Sequence, residues 1–202
     1  MPTEYLFKVI VIGRSNVGKT AFVNRCVKGC FTENYKPTIG VDFAMKTLEW
    51  SENEMVRIQF WDIQGQEDTL PLSRAFFKGA SACVILFDIT SEKSFHFCKE
   101  LKAAVDREVV PGSEKPVPCL LLANKCDLPN QVVEKETIAT FCTKYNFGSW
   151  KEISVKENIQ IEESVRWLVQ VMMKTDSFLE KSSEAIDLGS MKRSMWSSCC
   201  GV

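Results

Sequence analysis

Apolar residues come in short runs separated by amphipathic stretches. The runs near 5–12, 81–87 and 117–123 are apolar almost throughout, the pattern of central parallel strands covered on both faces. Residues 54–61 alternate, as in a strand with one exposed face, and follow a strand-like stretch at 42–49 across the turn signal Ser51-Glu-Asn53. A further short run lies at 150–153. Helical spacing falls near 19–28, 93–108, 133–145 and 158–174, so strands alternate with helices. The expected architecture is α/β: a single, mostly parallel six-stranded sheet with one antiparallel edge strand and helices on both faces. Periodicity fades after about residue 174, where Ser, Glu, Lys and Met dominate. The reading is a globular domain over 1–174 and a flexible tail over 175–202.

The first apolar run leads straight into Gly13-Arg-Ser-Asn-Val-Gly-Lys-Thr20, a complete G-x-x-x-x-G-K-[ST] loop, with a helical pattern behind it. Backbone N–H groups of such a loop, here over Ser15, Asn16, Val17, Gly18 and on to Ala21, cradle phosphates. Lys19 reaches the β and γ oxygens, and the Thr20 hydroxyl is placed for Mg²⁺. The loop lies at the carboxyl end of the first strand, where ligands bind in such sheets. It does not by itself separate ATP from GTP. Asn124-Lys-Cys-Asp127, at the end of a central strand, does: the Asp127 carboxylate can accept from N1–H and the exocyclic amine of guanine, a donor pair adenine lacks.

The chain has 202 residues, a net charge of -1 and a single histidine, His96, expected on a helix surface. That charge gives no broad pull toward nucleic acid, and none is expected as a partner. Nine cysteines without a C-x-x-C pair suit neither a zinc site nor a disulfide framework, and point to a reducing cytosol. Cys26, Cys30, Cys83, Cys98, Cys119, Cys126 and Cys142 are expected to serve as small hydrophobes.

With these motifs the chain resembles the Ras-like small GTPases, a P-loop NTPase fold, over residues 5–174. The resemblance implies a GTP hydrolase that binds GTP, GDP and Mg²⁺. Asp62-Ile-Gln-Gly-Gln66 resembles the D-x-x-G-Q motif, giving Asp62 a metal role, the Gly65 N–H the γ-phosphate and Gln66 the attacking water. Thr38 resembles the first-switch threonine that ligates Mg²⁺ in the triphosphate state. Phe31 falls where the family packs a ring against guanine and Tyr35 where one covers the phosphates. Ser154-Val155-Lys156 resembles the loop that supports the base, with Asn124 and Lys125 bracing the phosphate loop and the ring. Ile39-Gly-Val-Asp-Phe43 and Trp61 are marks of the Rab branch, with strings most like the Rabs of lysosome-related organelles and the trans-Golgi network. Ile39, Phe43, Trp61 and Phe76 then fall on the effector surface. Cys199-Cys200 resembles a geranylgeranylation signal, on one or both cysteines. The resemblance further implies an exchange factor, a GTPase-activating protein and a prenyl-carrier protein. It implies the cytoplasmic face of trans-Golgi, late-endosomal or lysosome-related membranes, with a soluble cytosolic pool.

Departures from the pattern cluster at the second switch. Gln64 stands where the family nearly always has alanine, and is expected to crowd Gln66, the attacking water or the switch transition. Asp68-Thr69 replaces Arg-Phe, Pro71 adds stiffness, and Phe76-Phe77 replaces a tyrosine pair. Arg14 is expected to face outward, and Asn16 tolerates the left-handed backbone the loop needs. Nucleotide binding is therefore expected intact, with slow intrinsic hydrolysis and altered effector choice. Two rival readings are a non-hydrolysing GTP-binding scaffold and a metabolic P-loop kinase; the latter lacks any lid insertion and is opposed by Asp127.

Overall fold

The computed structural model describes residues 2–33, 38–65, 74–108 and 117–175. Tyr35, Gln66, Asp68, Thr69, Pro71, Cys199 and Cys200 lie outside the described residues.

Chain order is β1 (Thr3–Gly13), α1 (Lys19–Lys28), β2 (Val41–Ser51), β3 (Glu54–Ile63), α2 (Arg74–Phe77), β4 (Ala82–Asp88), α3 (Glu92–Glu108), β5 (Cys119–Asn124), α4 (Lys135–Lys144) and β6 (Ser149–Glu152). A last helix, α5, covers 161–175. The six strands form one sheet in the order β2-β3-β1-β4-β5-β6, in which β2 pairs antiparallel with β3 and every other pairing is parallel. The expected edge hairpin and parallel centre are both present. Among the described residues no helix is long and apolar enough to cross a membrane.

Alternation along the central strands builds two cores. Val9 and Val11 of β1, Val84 and Leu86 of β4, and Leu120 and Leu122 of β5 face one way, against Phe22 of α1 and Val165 and Leu168 of α5. Ile10, Ile12, Ile85, Phe87 and Leu121 face the other way, against Phe95 and Leu101 of α3 and Ile138 of α4. Phe22 and Phe60, both fully buried, meet edge to face at 6.4 Å beneath the phosphate loop. Truncating either ring to alanine costs about 3–5 kcal/mol in such a core.

Differences from the sequence expectation have local causes. β5 begins at Cys119 because Pro118 has no N–H to give to the ladder. α5 begins late because Asn158 and Gln160 hold left-handed backbone, φ 59° and 58°, in a turn bridged between Ser154 and Ile159. The four-residue α2 carries too little periodicity to be read from sequence. His96 is exposed as expected. Cys26, Cys83, Cys98, Cys119 and Cys142 are buried, whereas Cys30 is exposed and Cys126 half-buried, so the small-hydrophobe reading fails for Cys30.

Candidate functional site

The phosphate loop joins β1 to α1 over the carboxyl end of the sheet. α1 starts at Gly18, whose φ of 98° and whose contact with Asn124 exclude a side chain: a Cβ there would lie 2.4 Å from Asn124 Nδ2. Asn16 takes φ 67°, as the loop requires. Lys19 is only 6% exposed and its Nζ donates to the Arg14 carbonyl at 2.8 Å across the loop. Burial draws its ammonium down to about 8, partly offset by Asp62, so this cation has far less water than it would have in solution. Arg14 itself is half-buried, with its guanidinium 5.3 Å from the Phe97 ring, rather than simply facing outward.

Three segments converge on one set of hard oxygens. Thr20 Oγ1 donates to Asp62 Oδ2 at 2.5 Å and lies 2.8 Å from Thr38 Oγ1, which donates to the same carboxylate oxygen at 3.4 Å. Asp62 is 2% exposed, and its Oδ1 is buried with no hydrogen-bond partner among the described residues. Burial raises its carboxyl above the ordinary range, against the opposing pull of Thr20 and Lys19. An orphaned carboxylate oxygen beside two hydroxyls fits a hard divalent cation, and Mg²⁺ is the ion that such a set shares with phosphates. The second switch touches the loop directly: Ser15 Oγ donates to the Gly65 carbonyl at 3.2 Å, and a Cβ on Gly65 would lie 2.6 Å from Ser15 N.

At the other end, Asn124 links two loops. It is 3% exposed, donates from Nδ2 to the Val17 carbonyl at 2.8 Å and accepts at Oδ1 from Val155 N–H at 3.1 Å. Lys125, at φ 69°, pairs with Asp88 at 2.5 Å. Burial acts to raise the Asp88 carboxyl, but Lys125 and Thr90 outweigh it and hold the group below its usual range. Asp127 is solvent-exposed and, with Leu128 and Phe31, lines a cleft of about 340 Å³.

Ser15, Asn16, Gly18, Lys19, Thr20, Ala21, Phe31, Thr38, Gly65, Asn124, Lys125, Asp127, Val155 and Lys156 all line that cleft. Val17 and Ser154 are buried behind the wall, and the Ser154 hydroxyl accepts from Glu157 N–H at 3.0 Å. Sequence reasoning missed Asn24, Thr32, Glu33 and Leu128 in the lining, and the 3.6 Å ion pair of Glu33 with Lys156 at the rim. It also missed Arg25, whose guanidinium donates to the Val155 and Lys156 carbonyls at 3.0 and 2.8 Å and so fixes the base-end loop to α1. No local pattern marks Arg25, because its partners lie some 130 residues away in sequence.

The expected effector residues lie on one side of the site. Ile39 is 91% exposed and Phe43 53%, while Trp61 and Phe76 are half-buried. Phe43 meets Trp61 edge to face at 4.6 Å, and Lys8 Nζ sits 3.6 Å from the Trp61 ring while donating to the Lys78 carbonyl. Gln64 lines the cleft, and its Oε1 accepts from Gly40 N–H at 2.9 Å, tying the end of β3 to the first switch; Gln66, which it was expected to crowd, lies outside the described residues.

Comparison with known sequences agrees with this geometry. The profile of the Ras family matches residues 8–174. The chain is 42% identical over 199 residues to the human protein named Ras-related protein Rab-7L1, covering 98% of both chains. It is 37% identical to human Ras-related protein Rab-32, covering 98% of this chain and 90% of that one. Ras-related protein Rab-32A of Dictyostelium discoideum is 42% identical over 176 residues, covering 86% and 80%.

Proposed function

This chain belongs to the Ras family, as a Rab GTPase hydrolysing GTP to GDP and phosphate, and we propose that it is a membrane-anchored switch that recruits effectors in vesicle or organelle trafficking. The observation that carries the reading is the meeting of Thr20, Thr38 and Asp62, one from the phosphate loop and one from each switch, within 3.4 Å. A divalent cation held there would supply positive charge against the phosphates. In this reading Thr20, Thr38 and Asp62 hold it, Lys19 balances the phosphate charge, and loop N–H groups from Ser15 to Ala21 fix the phosphates. Asn124, Lys125, Asp127, Val155 and Lys156 hold guanine, with Phe31 against the base and Tyr35 over the phosphates. Gln66 orients the attacking water. Loss of the γ-phosphate releases residues near 35–43 and 64–77, and Ile39, Phe43, Trp61 and Phe76 present the ordered state to effectors.

Anchoring is assigned to geranylgeranyl groups on Cys199 and Cys200. Each buried CH₂ contributes about 0.8 kcal/mol and one chain anchors marginally, so two are expected. The reading places the G domain over 1–174, the tether over 175–202, and the protein on trans-Golgi, late-endosomal or lysosome-related membranes. Exchange factor, GTPase-activating protein and prenyl carrier complete its cycle. A pull-down with GTP-analogue- and GDP-loaded protein tests the switch: more effector partners are expected with the analogue. Localisation tests the anchor. Cys199→Ser with Cys200→Ser is expected to leave the protein cytosolic, and retained membrane association would sink the lipid assignment.

Intrinsic hydrolysis is proposed to be slow, because Gln64, Asp68, Thr69 and Pro71 depart from the family pattern on either side of Gln66 in the sequence. Single-turnover hydrolysis is expected to run several-fold faster in Gln64→Ala than in the wild type. Equal rates at an ordinary Rab level would overturn this part of the reading.

A further inference from the structure

We propose that Gln64 is a clasp that holds the first switch to the second without help from the γ-phosphate. This rests on the guanine-nucleotide switch reading above and adds a regulatory property specific to this chain.

The β2–β3 ladder runs to the pair Val41 and Ile63. One rung beyond it, Gln64 N–H donates to the Gly40 carbonyl at 2.8 Å. The same residue returns its side-chain Oε1 to Gly40 N–H at 2.9 Å. Two bonds thus close on one residue, and both backbone polar groups of Gly40 are satisfied by Gln64. A side chain without an acceptor at this reach, such as the alanine of the family pattern, can make only the first bond. Position gives the second bond its leverage. Gly40 is two residues from Thr38, whose hydroxyl lies against Asp62, and Gln64 adjoins Gly65, which is seated on Ser15. Neither bond of the clasp uses a phosphate oxygen.

The consequence is a first switch that hydrolysis releases less completely. A larger share of GDP-bound molecules keeps Thr38 beside Asp62 and Thr20, GDP leaves more slowly while Mg²⁺ is present, and the GTP and GDP forms differ less on this side of the molecule. One neutral hydrogen bond of this kind shifts an equilibrium by about two- to tenfold.

The test uses full-length protein loaded with GDP and four chains: wild type, Gln64→Ala, Gln64→Met and Gln64→Glu. Methionine keeps the length without a comparable acceptor, and glutamate keeps an acceptor oxygen at the same reach. Amide exchange at Gly40, followed by NMR, is expected to be slow in the wild type and Gln64→Glu and at least twofold faster in the other two. GDP release in saturating Mg²⁺ is expected to be about two- to tenfold faster in Gln64→Ala and Gln64→Met, and that difference is expected to collapse when Mg²⁺ is chelated. Equal Gly40 exchange in wild type and Gln64→Met would overturn the clasp. So would a release difference that survives chelation, since Gln64 would then be acting on the pocket at large. A wild-type protein that retains no guanine nucleotide would instead remove the switch reading itself.

Discussion

Asp127→Asn is expected to lower affinity for GTP and GDP by about 10²- to 10⁴-fold while raising affinity for xanthosine triphosphate. The carboxylate accepts from two guanine donors, N1–H and the exocyclic amine. Hydrogen bonds to a charged group contribute about 1.5–3 kcal/mol each, so losing that pair is a multi-kilocalorie change. An asparagine amide accepts at its oxygen from N1–H and donates from its nitrogen to the O2 carbonyl of xanthine, restoring two bonds with the other base. Asp127 is exposed, so each bond to the base replaces one to water, which places the expected loss toward the lower end of this range. Competition binding with the two triphosphates reads the result directly. Unchanged guanine affinity would show that another residue recognises the base.

Asp62→Asn is expected to act in two opposite directions. The buried carboxylate has one oxygen bonded by Thr20 and Thr38 and another without a partner among the described residues, an arrangement that favours a cation and disfavours the bare anion. The amide keeps an acceptor for Thr20 and removes the charge. Nucleotide affinity gained on adding Mg²⁺ should therefore fall by about 10- to 100-fold. In the nucleotide-free protein the same change should raise Tm by about 2–4 °C, the shift that about 1 kcal/mol produces in a chain of this size. Titration of nucleotide binding against Mg²⁺ and a thermal melt together decide the matter. A lower Tm with Mg²⁺ dependence intact would mean that Asp62 is a structural carboxylate.

Much of the site was legible because its chemistry is written in contiguous residues. The phosphate loop follows an apolar strand and opens a helix, and Asn124 to Asp127 follows another apolar strand. Parallel pairing of β1, β4 and β5 then brings both to one edge of the sheet. Other features depend on separations that no local pattern encodes. Arg25 reaches carbonyls of the base-end loop across the core, and Glu33 meets Lys156 only because α1 and that loop flank the same cleft. Gln64 was legible as a departure, but not its direction. Sequence puts it beside Gly65 and suggests obstruction. Ladder register puts it opposite Gly40 and adds a bond to the first switch. Cys30 failed as a core residue for a simpler reason: it follows the C-cap of α1 at Gly29, where the chain leaves the core.

In the proposed switch the β2–β3 hairpin carries duration and address on one ladder. Gly40 faces Gln64 at the open end, and Phe43 faces Trp61 three rungs along the same ladder. Under the proposed switch, a substitution at the first pair is expected to alter how long a signal lasts, and one at the second who receives it. The two pairs share one backbone ladder, so under the proposed switch a change at Gln64 is expected to tune persistence while Phe43 and Trp61 keep the audience.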